Sequence, residues 1–521
     1  MKIADLVQYG LPPRLIRLWQ EEESEDLLPL QELAIKRYGL FGEGNLLIQA
    51  PTSSGKTFVG EMAAIQTALE GKKVIYLVPL KALAEEKFLE FREKYAPYGI
   101  KVIVSTRDYR AYDSVLESGD FSLAVVVYEK LAQLLVRRPE RLEEIRLVIA
   151  DELELLSDPD RGAQVELLLT RVLRSGCRTI GLSAVLGEAE KLADWMDARL
   201  VQYDRRPVEL RYGVLHDGVF RYRTYNDLSD GEERLAPVHS DSAGEILLEN
   251  IGAFVERGEA CLVFVKSKVE SRRAAEILAQ RLNLPAAREA IEELRGLEPT
   301  HSRDSLLETL NNGVAFHNSD LSPLERRAVE KAFRSGEVLA LVATSTLAVG
   351  LNLPAQNVFI SSEKWRYDSR FGMPWKTPIA RGEFENMGGR AGRYGGALPF
   401  GRAILIAPTQ FDFETLWRRY VEGDRERIQP QLDRASSLED HVVRLVAARV
   451  CRTEDELLVF FEGTLTGKWI WQQLLTREEC AFRVRTAVDR ALESELLSRD
   501  IEGLLEPTPF GQAAAAKGIA A

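Results

Sequence analysis

Long apolar runs are missing from the 521-residue chain. None reaches the roughly 18 residues a membrane span needs, which argues against a transmembrane helix. Cysteine is scarce. Cys177, Cys261, Cys451 and Cys480 stand far apart and have no metal-ligand spacing. That argues against a disulfide framework and a structural zinc. The five histidines are equally scattered. No low-complexity tract or short-period repeat occurs. Positive charge is not in excess either: 68 Lys and Arg face 80 Asp and Glu, for a net charge of −12. A nucleic-acid coat protein is disfavoured, but an enzyme with a local basic groove is not. The opening MKIADLVQYGLPPRLIRLWQ has scattered charges and no signal-peptide core, so a cytoplasmic location and no membrane partner are expected. The run EEESED at 21–26 reads as solvated surface.

Apolar residues make up 45% of the chain and charged residues 28%, the balance of a globular protein with proper cores. The length allows roughly three or four domains. From about 45 to 200, strand and helix patterns alternate. Strands are expected at 45–50, 73–79, 100–105, 122–128, 145–151 and 178–183. Runs such as KVIYLV and LAVVVY are apolar throughout, as parallel strands buried on both faces require. This predicts a doubly wound α/β domain over 1–203. RRPVELRYGV at 205–214 reads as a connector. A second α/β domain over 204–409 follows, with strands expected at 261–267, 313–316, 338–344, 357–361 and 402–408. Residues 281–312 read as a helical insertion. Over 410–521, short amphipathic helices and a small hairpin predict a mostly helical winged-helix domain.

One motif stands at the start of this alternation. NLLIQA is followed by APTSSGKT at 50–57 and then by a helical pattern. The spacing is that of a phosphate loop with Ala in place of the first Gly. Small residues let backbone N–H groups turn inward, and the helix end adds positive potential. Pro51, Thr52, Ser53, Ser54 and Gly55 form the loop that would cradle the phosphates. Lys56 would reach the β- and γ-phosphates, and Thr57 would offer its hydroxyl to Mg²⁺. One such loop with two α/β domains suggests a nucleotide held at a cleft between them. That arrangement calls for an acidic pair and for arginines. Asp151 and Glu152 end the apolar run IRLVIA, where Asp151 would hold Mg²⁺ and Glu152 would polarise the attacking water. FENMGGRAGRYGG supplies Arg390 and Arg393, three residues apart. Guanidinium groups present fixed planar donors to a developing phosphoryl charge.

In order along the chain, these motifs resemble the superfamily 2 helicases, in the Ski-like branch that includes HelQ-type DNA repair helicases. LLPLQELAI resembles the adenine-reading motif, with Gln31 as reader. VPLKALAEEK at 78–87 resembles motif Ia, STRDYR at 105–110 motif Ib, DELE at 151–154 motif II and LSAVLGEAEKLADW at 182–195 motif III. LVFVKSK, AFHNSDLSPLERRAVEKAFRSGEV, TSTLAVGLNLPA and ENMGGRAGR resemble motifs IV, IVa, V and VI. The resemblance implies two tandem RecA-like domains, ATP and Mg²⁺ as cofactors, and 3′→5′ movement on single-stranded or forked DNA. It leaves RNA open. It places Lys81, Thr106 and Thr346 on strand phosphates, and Gly350 and Asn352 near the nucleotide. In relatives, the region 361–379 forms a strand-separating hairpin, on which Trp365, Tyr367, Phe371 and Trp375 could stack on the last base pair.

The sequence also departs from the family. Motif II ends in Glu154 instead of His, and motif III reads Ser183, Ala184, Val185 in place of S-A-T. T-x-E-K becomes Val127, Tyr128, Glu129, Lys130, motif Ib has Arg107 for Gly, and motif VI has Asn386 for Gln. Two of these exchange Thr for Val and lose a hydroxyl. The hydrolysis residues are intact, so ATP turnover is better supported than processive unwinding, and an ATP-gated clamp is the alternative of a different class. Arg107 is expected to add a phosphate contact. The helical ratchet domain of HelQ-type relatives is not expected here, and a protein partner would then supply that wall of the channel around a monomer.

Overall fold

The computed structural model describes all residues except 107–110, 237–241, 345–352, 354, 367–374, 393–397, 425–426, 435–437 and 518–521. Two compact units form. The first comprises Met1–Ala50, Gly55–Tyr203 and Arg427–Ala521, and the second Pro51–Ser54 and Asp204–Glu426.

In the first unit the continuous apolar runs become strands β1 (Asn45–Gln49), β2 (Lys73–Val78), β3 (Val102–Ser105), β4 (Leu123–Val127), β5 (Ile145–Ala150), β6 (Arg178–Ser183) and β7 (Ala198–Gln202). They pair in the order β3-β4-β2-β5-β6-β1-β7, all parallel. Period-two alternation divides each run between two cores. Val74, Tyr76 and Val78 face the core shared with helices Lys56–Leu69 and Lys81–Tyr95. Ile75 and Leu77 face the core shared with helices Tyr128–Arg137 and Gly162–Arg174. Both faces are therefore dry, which is why the strands read as unbroken apolar runs.

Residues Arg427–Ala521 build their own core from helices Leu438–Ala447, Glu454–Glu462 and Arg477–Glu493. Val136, Ala163 and Leu167 from the preceding α/β domain complete it. The small hairpin is present, and a further helix, Pro509–Lys517, follows it.

The second unit holds an eight-stranded sheet. Its strands are β8 (Glu209–His216), β9 (Val219–Thr224), β10 (Asp230–Arg234), β11 (Cys261–Val265), β12 (Val314–His317), β13 (Ala340–Thr344), β14 (Asn357–Ile360) and, after the hairpin strands β15 (Glu363–Arg366) and β16 (Trp375–Pro378), β17 (Phe400–Ile406). The order is β10-β9-β8-β17-β14-β11-β13-β12, parallel from β8 to β12 with β9 and β10 antiparallel at one edge. The connector expected at 205–214 is thus corrected: β8 is a sheet strand, because Leu210, Tyr212 and Val214 alternate into the core. Helices Arg288–Arg295 and His301–Leu310 occupy the expected insertion. Phe413, Leu416, Tyr420 and Val421, from the segment expected to open the C-terminal module, also join this core.

All four cysteines are buried free thiols. Among the described residues no helix is long and apolar enough to cross a membrane.

Candidate functional site

The phosphate loop begins where β1 ends. Gly55 is in the left-handed region, with φ 86°, at the N-cap of helix Lys56–Leu69. That position excludes a side chain on two counts. The conformation disfavours L residues, and an added Cβ would collide with Gln31 Nε2. Lys56 Nζ donates to the carbonyl of Ala50, and Ser54 Oγ to that of Pro51 at 2.6 Å. Gln31 is buried on helix Pro29–Lys36. Its Oε1 accepts from Leu28 N at 2.8 Å, and its Nε2 lies 3.5 Å from the Gly55 carbonyl. The structure therefore brings the expected adenine reader to the loop.

Asp151 and Glu152 follow β5. Glu152 has φ 55°, a strained value for a residue with a side chain. Asp151 is held on three sides. Its Oδ1 accepts from Glu152 N at 3.1 Å, its Oδ2 from Tyr76 OH at 3.3 Å, and its carbonyl from Tyr128 OH at 2.6 Å. Burial, with repulsion from Glu152, pushes its pKa up to about 6, while Lys87 and Lys56 pull it down. The two lysines favour its anionic form, the form that takes a cation. Among the described residues no group of three or more His, Cys, Asp or Glu is placed to hold a metal ion by itself. One carboxylate and one hydroxyl suit Mg²⁺, which keeps waters and binds substrate phosphates instead of filling a protein cage.

Tyr76 and Lys87 were not singled out from sequence, and Tyr128 was noted only as a departure from T-x-E-K. Lys87 is buried, with Nζ 5.0 Å from the centre of the Tyr76 ring. The signal for the tyrosines was a polar handle inside an apolar run. Nothing local distinguishes Lys87 from a surface lysine.

Glu154 changes the reading of motif II. Its Oε1 accepts from Ser183 Oγ at 3.1 Å and from Ala184 N. The unusual residue thus reaches motif III, and burial raises its pKa. Motifs II and III are physically joined despite the exchanges at both.

On the strand side, Lys81 starts helix Lys81–Tyr95 and is half-buried. Thr106 is fully buried. It directly follows β3, whose end packs inward.

In the second unit, Arg206 is buried, and burial lowers its pKa to about 10. Nη2 donates to the carbonyls of Gly389 at 3.1 Å and Ala391 at 2.9 Å, gripping the backbone on both sides of Arg390. Thr52 and Ser53 group with this unit. Thr52 Oγ1 accepts from Arg206 Nη1 at 3.0 Å, and Ser53 Oγ donates to the Gly389 carbonyl at 3.3 Å. Sequence reading missed Arg206 because it lay in the supposed connector. The hairpin β15–β16 is antiparallel and leaves Trp365 44% and Trp375 37% exposed. Lys266 pairs with Glu363 and Lys364 with Glu383, each at 2.7 Å, anchoring its base. The expected site residues Arg107, Thr346, Gly350, Asn352, Tyr367, Phe371 and Arg393 lie outside the described residues.

Comparison with known proteins agrees with this geometry. Residues 28–192 match the DEAD/DEAH box helicase family, and residues 243–395 the helicase conserved C-terminal domain. The chain is similar to an ATP-dependent DNA helicase Hel308 of Pyrobaculum calidifontis, 37% identical over 508 residues, which cover 96% of this chain and 68% of the relative. It is also similar to those of Methanocella arvoryzae, 34% identical over 98% of this chain and 67% of the relative, and Pyrococcus horikoshii, 33% over 98% and 68%.

Proposed function

The chain belongs to the Hel308 family of superfamily 2 helicases, and from that premise we propose that it hydrolyses ATP to move 3′→5′ along single-stranded DNA and to open forked duplex in repair or replication-fork processing. The observation that carries this reading is the loop itself: Lys56, Gly55 and Gln31 converge at one strand end, with Tyr76 and Tyr128 fixing Asp151 nearby. Lys56 and Gly55 bind the phosphates, and Gln31 reads adenine. Asp151 and Thr57 would hold Mg²⁺, which supplies charge neutralisation on the phosphates. Glu152 polarises water, and Arg390 with Arg393 meets the charge of the transferring group. Lys81 and Arg107 grip strand phosphates, contacts that fix register without reading bases. Trp365 stacks at the fork. We place the protein with the HelQ-type repair helicases, acting as a cytoplasmic monomer.

The bond from Glu154 to motif III supports coupling of hydrolysis to movement over a passive clamp. The test is steady-state ATP hydrolysis at fixed salt, alone and with single-stranded DNA, single-stranded RNA or duplex. Stimulation by single-stranded DNA is expected. Turnover indifferent to every nucleic acid refutes the motor and favours the clamp. Stimulation by RNA alone reassigns the substrate.

A further inference from the structure

After Glu152 the chain leaves the end of β5. It forms a 3-10 helix over Leu153–Ser157. Asp158 then makes a tight turn, its Oδ1 accepting from Asp160 N and Arg161 N, each at 2.9 Å. Arg161 is delivered to the N-cap of helix Gly162–Arg174. From there its guanidinium reaches two distant segments. Nε donates to Glu129 Oε1 at 2.6 Å, and Nη2 donates to the carbonyl of Pro79 at 2.7 Å. Pro79 lies two residues before Lys81. Next to Glu129, Lys130 pairs with Asp113 at 2.7 Å, and the other oxygen of Asp113 accepts from Ser105 Oγ at 2.6 Å. Two side chains, Arg161 and Asp113, thus tie together the ends of β2, β3 and β4.

We infer that Arg161 is a positioning residue that sets the turn carrying Lys81 from the segment carrying Asp151 and Glu152. The inference rests on the function proposed above. A guanidinium suits the task because its planar fork serves a carboxylate and a carbonyl in different directions, whereas an ammonium is a single point charge. The Pro79 carbonyl precedes the helix, and Arg161 is the donor that meets it. The Arg161 and Glu129 side chains are 28% and 32% exposed, so water screens the pair. Its contribution is placement more than stability.

The experiment uses the full chain with Arg161→Ala and Arg161→Lys, alone and combined with Lys81→Ala. ATP turnover is measured without nucleic acid and against increasing oligothymidylate, at several salt concentrations. Turnover without oligonucleotide should change less than twofold. The half-stimulating oligonucleotide concentration should rise about tenfold in both Arg161 variants. The slope of log affinity against log salt should stay unchanged, because Arg161 neutralises no phosphate, whereas Lys81→Ala should lower it by about 0.7. In the Lys81→Ala background, Arg161→Ala should add little, since it acts through a group already removed. Arg161→Lys keeps charge and helix propensity, so it carries the test if Arg161→Ala melts early. Unchanged oligonucleotide dependence in a stimulated wild-type background overturns the inference alone. So does a reduced salt slope, or full additivity with Lys81→Ala. A wild-type protein that no oligonucleotide stimulates overturns the functional reading, and this inference with it.

Discussion

Glu166 sits on helix Gly162–Arg174 with 0% exposure. Its carboxylate accepts from Thr466 N at 2.6 Å and Thr466 Oγ1 at 2.9 Å, fastening the loop after helix Glu454–Glu462 to the first α/β domain. Burial pushes its pKa from 4.5 up to about 7, although the bonds from Thr466 and Thr464 pull the other way. The unfolded chain releases this proton near 4.5 and the native chain near 7, so between those values the native state binds more protons. Stability must therefore fall as pH rises through that window and level off above it. A shift of about 2.5 units is worth about 3 kcal/mol. Glu166→Gln removes the titration and keeps the shape. Its carbonyl still accepts from Thr466 N, and its amide can donate to hydroxyls that rotate to accept. The variant should gain on wild type by roughly 2–3 kcal/mol between pH 5 and pH 8. Denaturant unfolding of both proteins across that range, at fixed salt, measures the difference and cancels the groups they share. A difference that stays flat with pH would refute the assignment of a buried, proton-holding carboxylate at this junction.

Lys56→Ala and Glu152→Gln should each abolish ATP turnover, while Glu152→Gln still binds ATP in a fluorescent-nucleotide titration. Turnover surviving either change sinks the hydrolytic roles. Trp365→Ala should slow opening of a forked duplex and leave turnover on single-stranded DNA within about twofold, because the ring is exposed on a hairpin anchored at its base. Equal losses in both assays would mean that the ring supports folding instead. Arg107→Ala should flatten the salt dependence of strand binding by about 0.7 in slope, and an unchanged slope removes Arg107 from the phosphate contacts.

Local pattern was enough for several of these parts. Continuous apolar runs marked parallel strands because each is covered on both faces, and their alternation with helices fixed the α/β class. The strand–loop–helix turn was legible because Gly55, Lys56 and Thr57 fall within one turn of backbone directly after an apolar strand. Asp151 and Glu152 were legible because they end such a run.

Other parts depend on which strands become neighbours, and local periodicity does not carry that information. RRPVELRYGV read as a connector because its place beside β17 is settled by pairing across the sheet. Tyr76 meets Asp151 across 75 residues, and Arg161 meets Pro79 across 82. Glu154 looked like a lost coupling residue, yet a carboxylate at that point reaches Ser183 and Ala184 once β5 and β6 lie side by side. The sequence by itself determined the buried parallel strands of the α/β domains and the side-chain types each motif offers, since both follow from short-range sterics and residue identity. Only the tertiary structure decided which distant groups hold those motifs in place, since a hydrogen bond exists only where the fold brings donor and acceptor within about 3 Å.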